Sequence, residues 1–168
     1  MKKLIALLLL FNCQIFADEL LSYDEKVVTL TLLGEARGED KIGIYAVACV
    51  IQERALQRNL TPRRVCHEPL HRRAKKYQFS CWNGIKSIKD AEKWFSPSFD
   101  KNGTLVPSPI DLYARELARK IVKGEKLDRK KVNFATHFLN KRLIGKISWT
   151  KGREPVKIIG NHAFYKLD

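Results

Sequence analysis

The chain lacks an apolar run long enough to cross a bilayer as a stable helix, and it has neither an internal repeat nor a low-complexity tract. Those absences set aside a membrane-spanning protein, a repeat array and a flexible spacer. Acidic side chains are scarce: 18 Asp and Glu stand against 32 Lys and Arg, for a formal net charge of +14. Cysteine is sparse as well, at four residues in 168. What remains is one basic domain, long enough to bury a core and too short for two comfortable ones.

The first residues stand apart from that domain. Lys2 and Lys3 precede an apolar stretch from Leu4 to Phe11, and Ala17 is followed by the acidic pair Asp18-Glu19. This is the layout of a secretory signal peptide over residues 1–17, with a domain over 18–168. Cleavage and lipidation at Cys13 fit poorly, because bulky Phe11 and polar Asn12 precede it. Removing residues 1–17 takes away two lysines and no acid, bringing +14 down to +12. An exported domain of that charge is drawn to anionic wall polymers or acidic surfaces, and export argues against a nucleic-acid partner. A monomer is expected.

In an oxidising compartment the three remaining cysteines predict one bridge and one leftover thiol. Cys49 sits in the apolar run AVACVIQ, where a buried inert thiol is usual, so Cys66–Cys81 is the expected disulfide. A loop of that size would gain on the order of 3 kcal/mol from closure.

Ser22 with Glu25 three positions on is a capping box for a first helix, and Gly34 and Gly38 break its apolar pattern. A second helix starts near Asp40 and runs through IGIYAVACVIQERAL, apolar on almost every side and so expected at the centre. Residues 57–86 are expected as a long basic loop, and Ser87 to Asp90 caps a short helix. Asn102-Gly103 marks a turn, and Ser108-Pro109 opens a long helix with a stripe of Ile110, Tyr113, Leu117 and Ile121. VNFATHFL, GKISW and VKIIGNHAFYKL are β-leaning. The fold class is α+β, mainly α, with a small C-terminal β element.

Residues 67–71, His-Glu-Pro-Leu-His, match the zinc-protease pattern H-E-x-x-H. That chemistry needs both histidines on one helical face, one turn apart. Pro69 in the middle costs about 3 kcal/mol inside a helix. His137 and His162 sit beside aromatics in β-leaning segments and complete no set of three ligands. No metal or other cofactor is expected.

The stronger chemical candidate is LLGEARGED, where an apolar helix delivers Glu35 at its C-terminal end as the chain turns. Partial burial and the negative end of the helix both favour a carboxyl that keeps its proton and acts as general acid. Arg37 and Glu39 are expected to be solvated or to fix the loop. Glycosidases ordinarily flank the bond with two carboxylates. No second partner stands out here, because Asp90 and Asp111 open helices as caps.

In order, LLGEARGE, AVACVIQER, QFSCW, ATHF and IGNHAFY resemble the signature segments of the cell-wall hydrolase family typified by spore cortex-lytic enzymes (SleB-like), from about Leu30 to Tyr165. The resemblance implies a lysozyme-like catalytic domain, similar to lytic transglycosylases, that cleaves the MurNAc-β-1,4-GlcNAc bond of peptidoglycan glycan strands. It carries the catalytic acid/base onto Glu35, with the muramic acid C6 hydroxyl as internal nucleophile and a 1,6-anhydro product. A one-carboxylate mechanism suits a chain with no evident second acid. Gln78, Phe79, Ser80 and Trp82 are the expected substrate groove, joined by Thr136, His137, His162 and Tyr165. Two positions depart from the family pattern: Leu139 stands where Tyr often follows THF, and Glu53 where Asn often precedes Arg54.

Two other readings compete. One is a zinc-dependent N-acetylmuramoyl-L-alanine amidase, which a chelator would silence. The other is a wall-binding module without catalysis, using basic residues at 63–64, 72–73 and 75–76.

Overall fold

The computed structural model describes residues 21–70, 76–95 and 107–167. The expected signal segment, His71 and the Asn102-Gly103 turn lie outside them. Among the described residues the α-helices are α1 (Tyr23–Glu35), α2 (Lys41–Arg58), α3 (Pro62–Cys66), α4 (Ile88–Phe95) and α5 (Pro109–Val122). A three-stranded antiparallel sheet follows, built from β1 (His137–Asn140), β2 (Lys157–Ile159) and β3 (His162–Tyr165) in the order β1-β3-β2. The chain is therefore α+β and mainly α, with its β element at the C-terminal end.

Local chemistry sets the helix starts. The Ser22 hydroxyl accepts from the Glu25 amide at 3.3 Å while the Glu25 carboxylate accepts from the Ser22 amide at 2.8 Å, a reciprocal cap on α1. Asp40 accepts from the amides of Ile42 and Gly43 to open α2, and Ser108 with Asp111 repeats the capping box on α5. Every residue from Val27 to Leu33 is buried in α1, and from Gly43 to Ala55 only Tyr45 escapes burial in α2. The centre is thus shared by both helices rather than held by α2 alone. α5 packs on α1 through Ala114, Leu117, Ala118 and Ile121, with Ile110 and Tyr113 only partly covered.

Residues 57–86 are not one long loop. Thr61 accepts from the Arg64 amide, Pro62 takes the first helical position, and the single turn α3 buries Val65 and Cys66. Pro69 then pairs with Tyr77 in an isolated bridge, and Ser80–Trp82 forms a 3-10 turn. GKISW is not a strand either. Its last two residues open a 3-10 turn, Ser148–Thr150, in which the Thr150 hydroxyl accepts from the Gly145 amide and donates to the Ile147 carbonyl.

The expected Cys66–Cys81 bridge is not formed: Cys49, Cys66 and Cys81 are all free thiols. Burial pushes the Cys66 thiol up to about 12 and raises Cys81 further, with the Glu35 charge adding to it. Cys49 is wholly buried, its thiol pushed up to about 12 mainly by burial.

The sheet is fixed to the back of α2 by a second, smaller core. Phe164 of β3 packs there with Ala46, Cys49 and Val50 of α2 and with Val132 and Ala135. This docking brings β1 and the first residue of β3 beside the C-terminal end of α1.

Candidate active site

A cleft of about 800 Å³ opens where α1 ends, lined by the 78–81 segment, by β1 and by the turns that follow it. Glu35, the last residue of α1, faces it and is half-buried. Its Oε1 accepts from the Cys81 amide at 2.7 Å and from the Ser80 hydroxyl at 3.3 Å. Gly34 allows this approach, since a Cβ there would sit 2.7 Å from the Cys81 Cβ. Oε2 has no hydrogen-bond partner among the described residues and is the atom left to meet a ligand.

Glu35 is the sole acid among the described residues lining the cleft. Glu39 lies behind it, its side chain 4% exposed, its carboxylate accepting from the Asn161 amide at 3.0 Å and standing 3.8 Å from His162 Nδ1. It fixes the loop after α1 to the β2–β3 turn. A Cβ on Gly160 would come within 1.8 Å of Glu39 Oε2, so a larger residue there would push the carboxylate aside.

Of the residues expected in the groove, Gln78, Ser80, His137 and His162 line it. Phe79 touches the cleft but is 1% exposed, its ring lying 5.0 Å beneath the Arg54 guanidinium, so it is a support and not a sugar platform. Trp82 is in the core: its indole N–H donates to Thr31 Oγ1 at 2.9 Å, and its ring stands edge-on to His67 at 4.3 Å. Thr136 is buried, its hydroxyl bonded to the Leu167 backbone and its carbonyl accepting from Arg54 Nε at 2.5 Å. Tyr165 is buried against Trp149, with ring centroids 5.2 Å apart. Trp82, Thr136 and Tyr165 thus serve the scaffold behind the cleft rather than its lining.

The cleft also holds residues that sequence reasoning missed. Trp149, Leu143 and Ile147 give it an apolar side, and Asn140 adds an amide. Trp149 is half-buried at the cleft wall, flanked by Tyr165 and His137. Its signal was an aromatic in a Gly-flanked basic turn, obscured by the strand-like pattern of GKISW. Arg54 is the most consequential omission: it is 5% exposed, and burial followed by the nearby Arg58 pulls it down to about 10, so it stays cationic at neutral pH. Of the two departures, Leu139 does line the cleft, whereas Glu53 pairs with Arg129 and ties α2 to the 129–132 turn.

The H-E-x-x-H match loses its helix. α3 ends at Cys66, and Pro69 is already in its bridge with Tyr77, so residues 67–70 form no helix; His71 lies outside the described residues.

Burial first, then Arg54 and Arg58, pulls His137 from 6.5 down to about 4. His162 and His67 are lowered as well, both mainly by burial. Folded His137 is therefore neutral where an unfolded chain would protonate. Its contribution to stability is whole above pH 6.5 and is lost as pH falls towards 4. The urea midpoint should drop between about pH 7 and about pH 4.5, and His137→Gln should flatten that slope. Identical slopes for the two proteins would contradict the assignment.

Residues 38–165 match the family model described as Cell Wall Hydrolase, while no curated protein and no solved structure matches the chain. Of the cleft residues described, Gly34 and Glu35 precede the matched span.

Proposed function

The chain belongs to the cell wall hydrolase family, and from that premise we propose that it cleaves the MurNAc-β-1,4-GlcNAc bond of peptidoglycan by lytic transglycosylation, with Glu35 as acid and base. The observation that carries the reading is the lone carboxylate of the cleft: Glu35 faces it, and among the described residues lining it no second acid stands by to serve as nucleophile or base. Ser80 and the Cys81 amide hold Oε1. Oε2 gives its proton to the bridging oxygen as the bond to the muramic anomeric carbon breaks. The muramic C6 hydroxyl then forms the new bond to that carbon and returns its proton to Glu35, so no water is consumed and the carboxyl is restored.

The surroundings suit this chemistry. Trp149 offers aromatic surface at the cleft wall, Gln78 and Asn140 offer amides for hydroxyl and N-acetyl groups, and the neutral His137 and His162 add hydrogen-bonding nitrogen without charge. The cleft volume is in the range that encloses a short oligosaccharide. Excess positive charge favours retention on an anionic wall.

Mass spectrometry of products from digested sacculi tests the reading. The expected products carry 1,6-anhydromuramic ends, lighter by one water than the hydrolytic ones. Products with reducing muramic ends would replace transglycosylation by hydrolysis. Intact glycan with released peptides would end the glycosidic reading.

A further inference from the structure

Beside the main cleft lies a second hollow of about 570 Å³, walled by Leu60, Arg63, Arg64, His67, Glu68 and Gln78. It shares Leu70 and Gln78 with the cleft and so adjoins it as a side branch across those two residues. Gln78 comes two residues before Ser80, whose hydroxyl touches Glu35. Two residues span at most about 7 Å of chain. The branch therefore opens near the reacting bond and leads away from it.

The charges where the hollow meets the cleft are not all balanced. Arg58 is paired with Glu68, and Arg63 Nε lies 2.9 Å from Asp24. Arg54 and Arg64 have no carboxylate within ion-pair distance among the described residues. Arg54 is 5% exposed at the junction, held by the Thr136 carbonyl and by Gln78 Oε1 at 3.4 Å. The Glu68 and Glu35 charges act on Arg54 without touching it, so its guanidinium keeps no carboxylate in contact and can take one from a ligand. Gln78, with its oxygen turned to Arg54, has its amide hydrogens left for the branch. The junction offers cations and N–H donors, and Glu68, its single acid among the described lining residues, is already engaged.

A bare glycan strand has nothing to place in such a branch. The muramic residue has: a peptide stem leaves it sideways through the lactyl ether, bearing carbonyls and free carboxylates. Building on the glycosidic reading above, we propose that the branch walled by Arg64, with Arg54 on the cleft side of Gln78, is a subsite for the acidic peptide stem of the muramic residue being cleaved. The guanidiniums pair with stem carboxylates and select strands that still carry stems.

The test measures kcat/KM on purified glycan strands with stems and on the same strands after enzymatic removal of the stems, both free of phosphate polymers. In parallel, an N-acetylated stem tripeptide with free carboxylates is titrated into the protein by calorimetry. The wild type should favour stem-bearing strands by about fivefold, the scale of a partly exposed charge pair. Arg64→Glu, at an exposed position, should bring that ratio towards one and weaken tripeptide binding in step. Equal kcat/KM on both substrates with no tripeptide binding would overturn the proposal. So would competition by a polyphosphate wall polymer where the tripeptide does not compete, which would give the branch to phosphate instead. Failure of the glycosidic reading looks different: no new glycan ends from either substrate, with tripeptide binding still dependent on Arg64.

Discussion

Glu35→Gln should lower glycan-strand cleavage by about 10²–10⁴-fold, the range typical of a lost general acid/base, while leaving substrate binding and the unfolding midpoint near those of the parent. The amide oxygen of glutamine can still accept from the Cys81 amide and the Ser80 hydroxyl, as Glu35 Oε1 does. What glutamine cannot do is release a proton to the bridging oxygen or take one from the attacking hydroxyl. The effect should therefore fall on kcat, with KM little changed. Rates of new glycan ends at saturating substrate, beside a urea curve for each protein, separate chemistry from folding. Activity within a few-fold of wild type would remove Glu35 from the reaction.

Trp82→Ala has a comparably large effect of another kind, a loss of about 3–5 kcal/mol of stability. Trp82 is 3% exposed, fills the space between His67 and Phe95, and donates its indole N–H to Thr31. Alanine would empty that space and leave the neighbouring 3-10 turn without its anchor. Trp82→Phe keeps most of the volume and forfeits the hydrogen bond, so a smaller loss is expected, about 1–2 kcal/mol. Urea denaturation of the three proteins checks the order. Near-normal stability of Trp82→Ala, accompanied by weaker binding to glycan strands, would return this side chain to the groove.

Features governed by near neighbours along the chain were legible in the sequence. The reciprocal caps at Ser22 and Ser108, the start of α2 at Asp40 and the delivery of Glu35 at the end of α1 each depend on residues within a few positions. The one-turn helix α3 escaped because five residues show no period, although Thr61 and Pro62 did mark its start. GKISW alternates like a strand, but Gly145 and Gly152, at φ of 73° and 69°, bend the chain on either side of it into a turn.

Within the site, the line between wall and support was not legible. Phe79, Trp82 and Tyr165 are the residue types that stack on sugars and equally the types that fill cores, and only the packing of α1, α2 and the sheet decides between them. Trp149 was overlooked for the opposite reason: it lies outside the signature segments and reaches the cleft because Tyr165 supports its ring. Arg54 looked like the charged end of an apolar helix. It becomes buried where the Thr136 carbonyl and the face of Phe79 receive its guanidinium. The expected disulfide failed at the same level, since spacing along the chain suggests a pair but does not set how two side chains face each other in the fold.

The central claim, a proton passed from Glu35 to a sugar–sugar oxygen in this cleft, is tested most directly by a crystal structure of Glu35→Gln holding a peptidoglycan glycan fragment. The bridging oxygen should lie within hydrogen-bond reach, about 2.6–3.2 Å, of the side-chain atom at position 35 that stands in for Oε2, with a sugar ring against Trp149. A fragment bound elsewhere, or a glycosidic oxygen turned away from position 35, would contradict it.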